Sequence, residues 1–224
     1  MPEGPEVKTT VNWLLKFKEK TIESFVILWG RYLKKNKIPG WDKLESPALL
    51  KNVQCKGKFI YFTFSGKQHD SFLFSTLGMT GMWSNSRTKH SRVVLSFKDE
   101  EPLYYNDIRN FGTLKFVETK KELDKKLNSL GPDILASEIN TKSFLSRLTR
   151  KHNKTIAECL MNQSVISGVG NYLKAEILYA SKISPNRKIS DITENEWITL
   201  CENILVIARR SYRLGGATIE SYRQ

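Results

Sequence analysis

Cysteine and histidine are scarce. Three cysteines (Cys55, Cys159, Cys201) and three histidines (His69, His90, His152) are scattered over 224 residues, with no Cys-x-x-Cys pair. That spacing argues against a zinc site within the chain, and lone thiols suit a reducing interior. No apolar run approaches the roughly 20 residues of a membrane span. The N-terminal stretch is amphipathic and charged, not a signal-peptide core. Repeats and low-complexity tracts are missing too. The expectation is a soluble intracellular protein, with nucleus, cytoplasm and viral factory not distinguished. Acidic residues are the minority: 23 against 36 Lys and Arg leave a formal charge of +13. That surplus is the footprint of a nucleic-acid binder, although an anionic membrane or solubility alone could also use it. Apolar content of 40% with five Trp argues for a folded chain, as one large domain or two small ones.

The hydrophobic period divides the chain. Val7, Val11, Leu14 and Leu15 predict an amphipathic helix from about Pro5 to Lys18. Short strands are predicted at Ser24–Trp29, around Ile60, Phe62 and Phe64, and at Ser71–Leu77, Val93–Phe97, Pro102–Tyr105 and Thr113–Val117. They suggest a β-sandwich or barrel with the first helix packed on it. Leu130-Gly131-Pro132-Asp133 breaks the pattern as a linker, and the rest reads helical. Helices are expected at Thr141–Thr149, Thr155–Asn162, after Gly168-Val169-Gly170-Asn171, and after Thr193-x-x-Glu196, a capping box, as far as Gly215-Gly216. The fold class is therefore α+β: an N-terminal β-sandwich domain (1–129), a linker (130–136) and a helical domain (137–224).

The chain opens Met1-Pro2-Glu3-Gly4-Pro5-Glu6. With Met1 removed, as expected before a small second residue, Pro2 carries a free secondary amine. Such an amine can attack a sugar C1′ and form an iminium. Its reference pKa of roughly 7.7–8.0 leaves a neutral fraction near pH 7. Glu3 stands beside it as a proton donor or acceptor. With Met1 retained, the Pro2 nitrogen is an amide and the chemistry is lost. The bland alternative is a helix start, with Pro5 at the first helical position and Glu6 in the first turn. Further along, Gly168 and Gly170 allow close backbone approach to a phosphate, the next helix N-terminus offers free N–H groups, and Asn171 adds a donor. An ordinary helical hairpin would have the same outline.

Jointly, Pro2-Glu3-Gly4-Pro5-Glu6, Lys56-Gly57-Lys58-Phe59, Leu77-Gly78-Met79-Thr80-Gly81, Asn106-Asp107-Ile108-Arg109-Asn110-Phe111-Gly112, Leu130-Gly131-Pro132 and Ser167-Gly168-Val169-Gly170-Asn171 resemble the formamidopyrimidine-DNA glycosylase / endonuclease VIII family, in the family's order. The Glu-Gly-Pro-Glu opening looks more like the endonuclease VIII branch. The resemblance implies a helix–two-turn–helix in the second domain and a basic cleft flanked by the two domains. It implies a bifunctional DNA glycosylase/AP lyase of base excision repair, acting on oxidised bases, pyrimidines first. The Pro2 amine would attack C1′, Glu3 would protonate the ring oxygen, and β,δ-elimination would cut the strand. Glu6 would help shape the site, or be only a first-turn charge. Lys58 would contact phosphates at the lesion, or be one more solvated lysine. Met79, Arg109 and Phe111 would fill the gap left by the extruded base, Arg109 pairing with the orphaned opposite base. Met79 could otherwise be a core methionine, and Phe111 could pack under the linker. Asn171 would bind phosphate, with Lys154, Lys174 and Arg187 extending the track or forming a solvated face. The partner is damaged DNA (duplex, bubble or single strand), the protein a monomer, and no cofactor or metal is required.

Two departures stand out. The family usually ends in a β-hairpin finger, often zinc-bound. This sequence stops at Gln224, shortly after Gly215-Gly216-Ala217-Thr218, where the finger would begin. The expectation is truncation before the finger. A base-reading loop is placed near Gly215–Tyr222. Ala157 stands where relatives often have a basic residue, which removes one phosphate contact. Two other readings use the same surface: a non-catalytic binder of damaged or abasic DNA, and a phosphate-tracking module without lesion preference.

Overall fold

The computed structural model describes residues 1–34, 38–41, 44–66, 69–136, 141–148 and 153–216. The chain forms two compact units. One comprises Met1–Pro2, Thr10–Cys55 and Phe59–Lys126; the other comprises Glu3–Thr9, Lys56–Lys58 and Leu127 onward.

The first unit is built on an antiparallel sheet of eight strands: β1 (Thr21–Ile27), β2 (Ala48–Lys56), β3 (Phe59–Ser65), β4 (Asp70–Thr76), β5 (Gly81–Ser84), β6 (Ser91–Phe97), β7 (Leu103–Asp107) and β8 (Thr113–Val117). They hydrogen-bond in the order β5-β7-β6-β1-β2-β3-β4-β8. The ladder folds over on itself. Trp83 of β5 lies 5.1 Å from the ring of Phe62 on β3, and Phe25 of β1 lies 5.0 Å from Phe116 on β8. These strands are remote in the ladder, so their contacts close two layers over one aromatic core. The expected sandwich is thus a single folded sheet. Helix α1 (Gly4–Leu14) continues as a 3₁₀ turn, Leu15–Phe17, and Phe17 stacks on Phe97 of β6 at 4.8 Å. A short α2 (Arg31–Lys34) follows β1, and α3 (Lys120–Ser129) follows β8.

The second unit holds α4 (Thr141–Leu148), α5 (Ile156–Met161), α6 (Asn171–Ala180) and α7 (Glu194–Arg213). Ile156, Leu160, Leu173, Ile177, Leu200 and Ile204 interlock in its core. Two capping boxes start helices here. Thr193 with Glu196 opens α7, and Thr155 with Glu158 opens α5. Glu158 and Glu196 are both held at about 2, first by their bonds to Lys154 and Arg187 and then by the capped amides.

Residues 130–136, expected as a linker, are bonded into this unit. Gly131 N donates to Gln163 O at 2.8 Å, and Ser167 N to Pro132 O at 2.8 Å. A Cβ on Gly131 would sit 2.3 Å from Val165 O, so its turn signature serves close packing. The unit also recruits the tip of the β2–β3 hairpin. Gly57 N donates to Asp133 Oδ2 at 2.7 Å. Gly57 has φ +57°, and a Cβ there would lie 2.5 Å from Gly168 N. Among the described residues no helix is long and apolar enough to cross a membrane.

Candidate active site

Glu3 is 2% exposed, and its carboxylate caps helix α6. Gly170 N donates to Oε2 at 2.6 Å, Leu173 N to Oε2 at 3.3 Å and Tyr172 N to Oε1 at 3.0 Å. Three orphan amides of a helix N-terminus thus converge on one acid. Gly170 has extended backbone, so its glycine serves approach, not torsion. A Cβ there would lie 2.2 Å from Glu3 Cδ. The expected free N–H groups at this helix start are therefore corrected: Glu3 occupies the amides of Gly170, Tyr172 and Leu173. Gly168 holds the other side, with φ +112° and its carbonyl accepting Gly4 N at 2.9 Å.

Burial pushes the Glu3 carboxyl above 4.5, against the pull of Lys58 and the three amides. Lys58 is half-buried on the hairpin tip, and burial pushes its ammonium down while Glu3 and Glu6 draw it up. For both groups desolvation outweighs the mutual attraction. An acid raised and an amine lowered within one cluster is a pattern associated with proton-transfer sites.

Glu6 is half-buried, not a free first-turn charge. Its Oε2 accepts Glu3 N at 2.9 Å, and its Oε1 accepts the Tyr172 hydroxyl at 2.8 Å. That hydroxyl also meets Ser211 Oγ at 3.0 Å. Tyr172 and Ser211 escaped the sequence reading. Pro2, half-buried and grouped with the sheet unit, is joined to Glu3 by one peptide bond.

A second cluster lies within the sheet unit. Leu77–Gly81 makes a tight turn closed by Gly81 N on Leu77 O at 2.7 Å, and Met79 at its tip is 42% exposed. Phe111 is 59% exposed, so Met79 is not a core methionine and Phe111 is not packed away under the linker. The buried carboxylate of Asp107 joins the two loops. It accepts Thr80 Oγ1 at 2.6 Å and Gly112 N at 2.8 Å, while Arg109 N donates to Thr80 Oγ1 at 2.9 Å. Arg109 Nη1 reaches Met79 Sδ at 3.2 Å. Below the loop, buried Arg92 binds the Asp107 carbonyl through Nε at 2.9 Å and Nη2 at 2.7 Å, and Arg31 binds the Gly112 carbonyl. Met79, Arg109 and Phe111 are therefore exposed on two loops clamped to each other through Asp107 and Thr80. Asp107 and Thr80 stood within the quoted motifs, but nothing local marked them as the clamp.

Asn171 is exposed at the first position of α6, and its Oδ1 accepts Lys174 Nζ at 3.1 Å. Lys154 pairs with Glu158 at 2.9 Å, and Arg187 pairs with Glu196. Ala157 is partly buried against the helical core. Ala217–Tyr222, part of the expected base-reading loop, lies outside the described residues, as do Thr149 and His152. Among the described residues no group of three or more His, Cys, Asp or Glu converges to hold a metal ion.

The formamidopyrimidine-DNA glycosylase N-terminal domain matches residues 1–114, and that family's H2TH domain matches 130–223. This chain belongs to the formamidopyrimidine-DNA glycosylase family. By that membership it is a DNA glycosylase, an enzyme of base excision repair. The formamidopyrimidine-DNA glycosylase of Ligilactobacillus salivarius is 32% identical over 99% of this chain and 81% of its own length. That of Mycoplasma mobile is 32% identical over 99% and 81%. Among solved structures, Lactococcus lactis Fpg bound to DNA containing an oxidised pyrimidine superposes with a TM-score of 0.84, at 27% identity, over 97% of this chain and 82% of that one. The same enzyme on DNA with an abasic site gives 0.83, at 28% identity, over 97% and 80%.

Proposed function

We propose that this glycosylase works through a Schiff base on Pro2 and is also an AP lyase. The carrying observation is Glu3: a buried acid, raised above its ordinary value and fixed by three amides, one residue from the candidate nucleophile. With Met1 removed, the Pro2 nitrogen attacks C1′ of the damaged nucleotide, the C1′–base bond breaks, and the proton shed by the Pro2 nitrogen goes to the departing base. Glu3 delivers a proton to the ring oxygen as the sugar opens, leaving an iminium between Pro2 and C1′. The iminium acidifies the C2′ proton. Its loss expels the 3′ phosphate, and a second elimination expels the 5′ phosphate. Water then releases Pro2.

In this reading Lys58 holds a phosphate beside the lesion, and Glu6 shapes the segment carrying Pro2. Asn171 binds phosphate through its exposed side chain, on the turn built by Gly168 and Gly170. Met79 and Phe111 fill the gap in the stack, and Arg109 pairs with the orphaned base. Residues 1–129 act as the catalytic domain and 137–224 as the DNA-binding one, inside the cell where DNA is. In this reading the Glu-Gly-Pro-Glu opening is taken as likeness to the endonuclease VIII branch, with oxidised pyrimidines preferred. The Lactococcus relative is solved on DNA with an oxidised pyrimidine and, as a mutant, on DNA with Fapy-dG, so its complexes do not choose between the two lesion classes.

The test is single-turnover excision from duplexes carrying either thymine glycol or 8-oxoguanine. Faster release of the pyrimidine, with phosphates at both ends of the gap, is expected. Base release without strand cleavage would refute the lyase assignment. Binding with no base release would leave a damage binder.

A further inference from the structure

We propose that Tyr172 is a positioning residue for the nucleophile: its hydroxyl, backed by Ser211, fixes the Glu6 carboxylate that holds the Pro2–Glu3 peptide. The inference rests on the proposed chemistry at Pro2.

The direction of each bond follows from the hydrogens available. Tyr172 Oη donates its one proton to Glu6 Oε1 at 2.8 Å. It therefore has none for Ser211, and the Ser211 hydroxyl must be the donor across their 3.0 Å contact. Glu6 Oε2 then accepts the Glu3 N–H at 2.9 Å. The chain runs from Ser211 of α7 through Tyr172 of α6 to Glu6 of α1 and ends on a backbone amide. That amide belongs to the peptide joining Pro2 to Glu3. The peptide is planar, so orienting its N–H orients the plane containing Pro2 Cα. One side-chain carboxylate thereby fixes Pro2 Cα and the Cα–C axis about which the proline ring turns.

The surroundings enforce this geometry. Ser211 is fully buried and Tyr172 is 8% exposed, so water cannot readily replace either hydroxyl. Gly216 lies so close that a Cβ on it would be 2.5 Å from Glu6 Oε1. The carboxylate is therefore flanked by α6, by α7 and by Gly216 beyond the end of α7. Meanwhile the Tyr172 amide caps Glu3 through Oε1 at 3.0 Å. One residue thus fixes the proposed proton donor through its backbone and the peptide of the proposed nucleophile through its side chain.

The test measures two quantities: the rate of borohydride trapping on a duplex with one abasic site, and the dissociation constant for a duplex with a tetrahydrofuran site. Tyr172→Phe removes only the hydroxyl. Trapping is expected to slow by about tenfold, the scale of a misaligned reacting group, with binding changed less than about twofold. Ser211→Ala should slow trapping less, by about two- to threefold, and serves if the phenylalanine variant misfolds. Because Tyr172 acts through Glu6, the Tyr172→Phe/Glu6→Gln pair should trap no more slowly than Glu6→Gln alone. Wild-type trapping by Tyr172→Phe, multiplicative losses in the pair, or parallel loss of binding and trapping would each overturn the assignment. A wild-type protein that never traps would overturn the Pro2 chemistry first, and this inference with it.

Discussion

Replacing Glu3 by glutamine tests how burial and hydrogen bonding compete at the helix end. The carboxylate receives Gly170 N and Leu173 N on Oε2 and Tyr172 N on Oε1. Glutamine presents one oxygen to these three donors, and its NH₂ faces the rest. Against the ionised carboxylate at least one buried amide loses its acceptor, at a cost of about 1–3 kcal/mol, opposed by the desolvation that glutamine is spared. In a chain of this size that lowers Tm by roughly 2–12 °C. The pH dependence is the sharper test. Burial raises the folded-state pKa of Glu3 above 4.5 despite Lys58 and the amides. A carboxyl raised on folding contributes stability that is full below its unfolded pKa. That contribution is lost as pH rises through the folded value. Glutamine does not titrate. The Tm gap between wild type and Glu3→Gln is therefore expected to be widest near about pH 4 and to narrow toward pH 7. Far-UV circular dichroism melts across that range measure it. A gap that widens with rising pH would mean that the amides and Lys58 outweigh desolvation, and would refute the reasoning.

Other changes probe the remaining parts. Gly170→Ala drives a methyl into the Glu3 carboxylate, so lesion excision should be nearly abolished, a far larger loss than that in affinity for duplex DNA. Binding with unaltered turnover would show that Glu3 can move without consequence. Thr80→Val removes the hydroxyl that accepts Arg109 N and donates to Asp107; stability should fall by about 1 kcal/mol and single-turnover excision several-fold. An unchanged excision rate would mean that the clamp is not needed. Lys58→Met should lower the slope of log Kd against log salt by about 0.9, the loss of one phosphate contact. An unaltered slope would return Lys58 to the ordinary solvated lysines.

What the sequence made legible depended on how local the signal was. The Thr193–Glu196 box, the Gly168–Asn171 turn and the strongly alternating strands were readable because period and capping chemistry act over a few residues. Strand β2 was missed. Ala48, Leu50 and Val53 are buried, but their spacing shifts and Asn52 and Gln54 interrupt the alternation. Strand β5 is only four residues long. Helix α3 is so rich in lysine that only Leu123 is buried along it, and its charge resembled a loop. The Leu130–Asp133 breaker was real, but its glycine and proline serve packing against Val165–Ser167. In the site, motif residues stood out because their types match a chemistry. Tyr172 and Ser211 did not, since their bond spans 39 residues and neither type is unusual in a helix. The role of Glu3 as the cap of α6 was hidden for the same reason, at a separation of 167 residues from Gly170.

The most direct measurement is the location of the covalent adduct. The protein is incubated with a duplex carrying one abasic site, reduced with borohydride, digested, and the cross-linked peptide sequenced by mass spectrometry. The account predicts a single adduct on the nitrogen of Pro2, in chains that have lost Met1, and no adduct when Met1 is retained. An adduct on Lys58 or another lysine, or trapping that survives a retained Met1, would contradict it.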